Sequence, residues 1–91
     1  MPYIAPIRRR TIWKEDKNYP VCEVGAIHNV GELNFAITKL ILDYVKFDGV
    51  SYKSINEVIG VLQCVQLEFY RRLAVPYEEC KRVEHGDVYI G

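Results

Sequence analysis

Apolar and polar positions alternate with a helical rhythm over Ser54 to Pro76, SINEVIGVLQCVQLEFYRRLAVP. At about 100° per residue, Ile55, Val58, Ile59, Val61, Leu62, Val65, Phe69, Tyr70 and Leu73 fall on one half of the cylinder. Asn56, Gly60, Gln63, Leu67 and Arg71 line the other half. Ser54 followed by Glu57 reads as a capping box, and Pro76 as a stop that ends the helix near Ala74. An apolar half this wide exceeds what one neighbouring helix covers, so several partners are expected around it.

A second helical stretch spans 29–47. Asn29 and Glu32 supply a capping pair, and Gly49 a left-handed stop. Leu33, Ile37, Leu40, Ile41 and Tyr44 form its stripe, which Phe35, Leu42 and Val45 widen. Glu32, Lys39, Asp43 and Lys46 remain as a wet strip, and Asn34 falls inside the apolar sector. The link from Phe47 to Lys53 is short, so helices 29–47 and 54–75 are expected to form an antiparallel hairpin. Gly60 costs roughly 1 kcal/mol against Ala in mid-helix, a cost that close packing of another backbone would justify.

The flanks carry weaker patterns. Pro2 and Pro6 predict an extended Met1–Ile7, followed by Arg8, Arg9, Arg10, Thr11, Ile12 and Trp13 and then a mixed-charge loop from Lys14 to Asn18. Val21–Ile27 is a short-strand candidate weakened by Gly25. After Pro76 a polar tail turns at His85-Gly86, with an extended segment expected at Asp87–Ile90. The fold class is therefore mainly α with minor β: a single domain over 1–91, made of an N-terminal arm (1–28) and a helical-hairpin core and tail (29–91).

Composition sharpens this picture. The chain has 91 residues, of which 49% are apolar and 12% aromatic. That is much apolar surface for a chain near the lower size limit of a self-sufficient core, which points to burial against further copies of itself. A formal charge of zero gives no general attraction to DNA, RNA or a membrane surface. Cys22, Cys64 and Cys80 are odd in number and widely spaced, as in a reducing compartment. No apolar run approaches the ~20 residues of a membrane span, and no leader pattern opens the chain. A cytoplasmic protein is expected.

Catalytic patterns are missing. His28 and His85 stand in no metal-ligand spacing, and there is no P-loop, no dinucleotide fingerprint and no nucleophile–base set. Neither catalytic residues, metal nor cofactor is expected. The Arg8–Arg10 triplet beside Trp13 reads either as a phosphate grip with a stacking ring or as a solvated basic arm, and the balanced charge favours the arm. Arg71 and Arg72 follow Phe69 and Tyr70 and precede Tyr77. Forked guanidinium donors match phosphate oxygens, and the rings can stack a base. Salt bridges to Glu68 or Glu78 would account for the same pair.

Longer strings recur in order: Gly31-Glu32-Leu33-Asn34 with Ala36-Ile37-Thr38, Ile55 to Gly60, Leu67 to Arg72, Pro76-Tyr77-Glu78, and Gly86 to Tyr89. Together they resemble a family of small phage proteins, the first type of Thoeris anti-defence protein, over about two-thirds of the chain. The resemblance implies a non-enzymatic sponge acting in the bacterial host cytoplasm during infection. It would bind and hold the cyclic ADP-ribose isomers, glycocyclic ADP-ribose among them, made by TIR-domain immune enzymes. Some members of that family also take cyclic oligonucleotides at separate sites. A homodimer or a hexamer built as a trimer of dimers, with sites shared between chains, is implied too. On this reading Arg71 and Arg72 meet the phosphates, Phe69, Tyr70 or Tyr77 stacks the adenine, and Asn34 and Asn56 serve ribose hydroxyls or the base edge. The alternative is a non-enzymatic oligomeric phage adaptor that binds a host protein.

Overall fold

A computed structural model describes residues 1–16 and 18–89. Lys17 of the mixed-charge loop and Ile90 of the expected extended tail lie outside the described residues. Among the described residues the chain is mainly helical with one two-stranded sheet, and it divides into two compact units, Met1–Ser54 and Ile55–Gly91.

The first unit opens with α1 (Pro6–Ile12), where an extended segment was expected. Pro6 sits in the first turn, where its missing N–H costs nothing and its fixed φ suits a helix, so here proline starts the element. The chain then straightens into β1 (Trp13–Lys14), which pairs antiparallel with β2 (Val21–Cys22) in the register Trp13↔Cys22. The expected strand over 21–27 stops after two residues, and Val24–Ala26 forms a 3-10 turn. The long α2 (Val30–Asp48) closes the unit's core. Ile12, Trp13, Phe35 and Ala36 are buried together, with Ile4, Cys22, Ala26 and Ile27 packed around them.

One ion pair ties these pieces. Arg8 Nε donates to Glu32 Oε2 at 2.8 Å, and its Nη2 donates to Glu32 Oε1 at 3.1 Å and to the Ala26 carbonyl at 2.6 Å. The same carboxylate accepts the His28 N–H at 2.8 Å. Glu32 is thus only 5% exposed, and its expected place on a wet strip is corrected. The Asn29 cap is present, its Oδ1 accepting the Glu32 N–H at 2.9 Å. The second half of the capping pair differs, because Glu32 turns to His28 and Arg8. Asn34, expected among apolar neighbours, is exposed and accepts the Thr38 hydroxyl at 3.0 Å. Gly49 ends α2 at φ 85°, the left-handed stop that its pattern predicts.

The next helix, α3 (Tyr52–Phe69), starts two residues before the expected cap. Ser51 Oγ accepts the Ser54 N–H at 3.1 Å, and Ser54 Oγ accepts the Ser51 N–H at 3.0 Å. This is a capping box three residues early, with serine answering from the position that Glu57 was expected to fill. Ser54 is buried because its hydroxyl also donates to the Gly49 carbonyl at 2.8 Å.

In the second unit the expected stop at Pro76 does not occur. The helix widens into a π segment at Tyr70–Ala74 and continues as α4 (Val75–His85). Proline disrupts a helix by lacking a donor and by its ring striking the carbonyl four residues back. The wider turn, in which the Val75 N–H reaches the Tyr70 carbonyl, moves the ladder past that conflict. Pro76 then occupies the first turn of α4, and Gly86 at φ 92° ends the helix. The polar tail over 77–85 is therefore helical, braced by Arg82–Glu79 at 2.8 Å and Lys81–Glu84 at 3.5 Å. Gly60 faces open space within the chain, so the close approach it was expected to serve is not intramolecular.

Much apolar surface stays exposed, including Leu40, Tyr44 and Phe47 on α2 and Ile59, Val61, Val65, Leu67 and Leu73 beyond it. Among the described residues no helix is long and apolar enough to cross a membrane.

Arg8, with help from the His28 N–H, holds the Glu32 carboxyl at about 2, below its ordinary 4.5. A depressed folded-state value stabilises the fold above the unfolded value and loses that contribution as pH falls through the folded one. Thermal stability should therefore decline between about pH 4.5 and 2 in the wild type, and Glu32→Gln should be less stable at neutral pH and flatter across that window, as read by circular dichroism. Truncating Ile12, which is fully buried, should cost about 2–5 kcal/mol in Ile12→Ala by urea denaturation.

Candidate functional site

Two cationic–aromatic groupings stand out, one in each unit. The first follows the predicted pair. Arg71 and Arg72 lie in the π segment, where the extra residue per turn re-aims side chains, and π segments often mark functional positions. Both guanidinium groups converge on one carboxylate. Arg71 Nη2 donates to Glu68 Oε2, and Arg72 Nη1 lies 3.8 Å from Glu68 Oε1. One negative charge thus faces two positive ones, and the arginine side chains are 72% and 75% exposed.

Arg72 lies beside Arg71 in the π segment. In the chain by itself it is solvated, so Glu68 orients it without neutralising the pair. Phe69 and Tyr70 adjoin the arginines and are exposed. Tyr77, on α4, is exposed as well, with Lys81 Nζ 5.6 Å from its ring centroid.

The two asparagines are placed apart from this cluster. Asn56 is exposed on α3, and the fifteen residues from Asn56 to Arg71 amount to about 20 Å at ~1.5 Å per residue. One small ligand cannot touch both on a single chain. Asn34 belongs to α2 in the first unit.

The second grouping is a groove of about 280 Å³ lined by Arg9, Arg10, Trp13, Glu15, Phe35 and Lys39. The three consecutive arginines divide their labour. Arg8 turns inward to Glu32, while Arg9, whose Nε donates to the Ile4 carbonyl at 2.8 Å, lines the groove. Arg10 has no ion pair or hydrogen bond among the described residues. From α2, Lys39 reaches over the Trp13 ring, its Nζ 5.8 Å from the centroid and 3.9 Å from Glu15 Oε1.

The sequence pattern offered Arg8–Arg10 and Trp13 as either a grip or a solvated arm. It did not supply Phe35 and Lys39, the i,i+4 pair on α2 that completes the groove. Their spacing is the signal that could have found them, since such pairs share a face.

No grouping of three or more His, Cys, Asp or Glu suited to a metal ion occurs among the described residues. Cys22, Cys64 and Cys80 are free thiols, the last two exposed.

No curated protein and no solved structure matches the chain. A family model does match, over residues 1–88, and so takes in the α1 groove as well as the π segment. The chain belongs to the family described as a domain of unknown function, DUF6899.

Proposed function

We propose that the protein is a sponge: it binds a cyclic ADP-ribose isomer, holds it unchanged and so withdraws it from TIR-driven immune signalling. The reading rests on the resemblance of its strings to the first type of Thoeris anti-defence protein. The structural observation that carries it is the Arg71–Arg72 pair sharing only Glu68 at an exposed π segment flanked by Phe69, Tyr70 and Tyr77. A pyrophosphate brings the negative charge that the pair lacks, and the rings offer a face for adenine. Sequestration needs tight, slowly released binding and no chemistry, so no catalytic role is assigned.

The assembly is part of the proposal. In this proposal α2 and α3 form an antiparallel hairpin that associates through its apolar faces into a homodimer or a trimer of dimers. A second copy running antiparallel along α3 would bring Asn56 of one chain level with Arg71 of the next, which overcomes the ~20 Å between them on one chain. Gly60, with open space beside it, admits such an approach. Asn34 contributes donors and acceptors from α2, and cyclic oligonucleotides are a second ligand class at separate sites. The host cytoplasm is where the signal would be met.

The same exposed apolar faces favour one other reading, an oligomeric adaptor for a host protein. Ligand separates the two. A sponge gains stability by mass action, about 2.7 kcal/mol at a hundredfold excess of ligand over Kd, whereas an adaptor gains none.

Incubating the protein with TIR-derived signal, washing it and heating it should release the intact molecule, identified by mass spectrometry. Arg71→Gln with Arg72→Gln should reduce the retained amount at least about tenfold. Hydrolysed product, or no retained nucleotide, overturns the sponge. Leu62→Glu should lower the mass seen by light scattering to that of a monomer, and a wild type that is already monomeric rejects the shared site.

A further inference from the structure

We propose that the groove between α1, β1 and α2 is a second binding site, for a small phosphate monoester carrying a planar group, with the size and chemistry of a nucleoside monophosphate. Three cations, Arg9, Arg10 and Lys39, meet in the groove against one carboxylate, Glu15, whose side chain is largely exposed. The local excess is two positive charges in a chain of zero formal charge, which matches a phosphate monoester dianion. Forked guanidinium donors suit its oxygens, and Arg10 has no competing partner among the described residues.

The apolar part of the groove is built from Trp13 and Phe35, which belong to the unit's core and are held by it. Lys39 lies over the face of Trp13, a ring otherwise only 7% exposed, and by turning to a phosphate it would uncover that face for stacking. Trp13 also carries the one buried side-chain polar atom without a partner among the described residues, its Nε1. A buried donor left unpaired is costly and calls for a reason.

Size limits the class. A volume of about 280 Å³ lies at the small end of ligand pockets and suits a mononucleotide better than a cyclic dinucleotide. The site is separate from Arg71 and Arg72 and stands or falls without the sponge proposal.

Trp13 is the sole tryptophan of the chain, so its fluorescence reports on this groove alone. Titrating the full-length protein at low salt with adenosine monophosphate should give a saturable change in emission. Arg10→Gln and Lys39→Gln should each weaken it at least about tenfold, Lys39→Arg should restore most of the loss, and Arg71→Gln with Arg72→Gln should leave it unchanged. Circular dichroism verifies that each variant remains folded. The proposal is overturned by no saturable change, by an equal response to adenosine or to inorganic phosphate alone, by a response confined to phosphatidylserine vesicles, or by variants that bind as the wild type does.

Discussion

The pair of half-buried Arg8 and buried Glu32 is the constraint on which the first unit depends. Four buried apolar side chains are a small core, and apolar contact alone leaves the orientation of α1 over α2 loosely specified. A bidentate guanidinium–carboxylate contact has a direction, and here the same two groups also bind the Ala26 carbonyl and the His28 N–H. Four backbone segments (α1, the 3-10 turn, the approach to α2 and α2 itself) are thereby set by one knot. The carboxylate also sits in the first turn of α2, where the helix dipole favours negative charge. Such a pair adds little net stability over apolar packing, yet losing Arg8 strands the buried carboxylate of Glu32. Its part is to fix geometry, and the geometry it fixes includes the neighbouring Arg9, Arg10 and Trp13.

That division explains which features were legible in the sequence. Asn29 as a cap and Gly49 as a stop depend on residues within one turn, and both stand as their local pattern predicts. Glu32 misleads because its partner is 24 positions away, and no rhythm within α2 carries that information. Pro76 misleads for a different reason. Its conflict with a helix is local, but so is the remedy, a π segment that leaves no trace in the apolar spacing. Ser51 and Ser54 sit three apart at the same boundary, and the reciprocal bonds select the earlier start. For the candidate site, Arg71, Arg72, Phe69 and Tyr70 are adjacent in sequence and could be read together. The α1 groove joins residues 9–15 to residues 35 and 39, which only the fold brings close.

The exposed apolar faces have a consequence for the second unit. Leaving Ile59, Val61, Val65, Leu67 and Leu73 in water forgoes roughly 1.5–3 kcal/mol for each side chain that could be fully buried. An isolated helix must instead be held by its caps and short-range pairs, such as Arg82–Glu79, and exposed pairs of this kind contribute little because water screens them. The helix of the second unit is therefore much longer and more apolar than its own contacts reward. The association proposed above would be a physical remedy, and it would act on the same stretch that carries Asn56, Gly60 and Arg71.

Solvation also bears on the proposed capture of an anion by two exposed arginines. A guanidinium buried in the free protein would need a permanent carboxylate, and a ligand phosphate would have to displace it. Arg71 and Arg72, largely in water and sharing Glu68, can exchange solvent for phosphate without breaking a buried pair. If association covers their surroundings, the contact strengthens as the local dielectric falls. Ligand and assembly would then reinforce each other, because a phosphate that neutralises the pair removes the repulsion opposing closure of the apolar faces around it. In the proposed sponge, slow release would follow from the same coupling, since the ligand could leave only when those faces part.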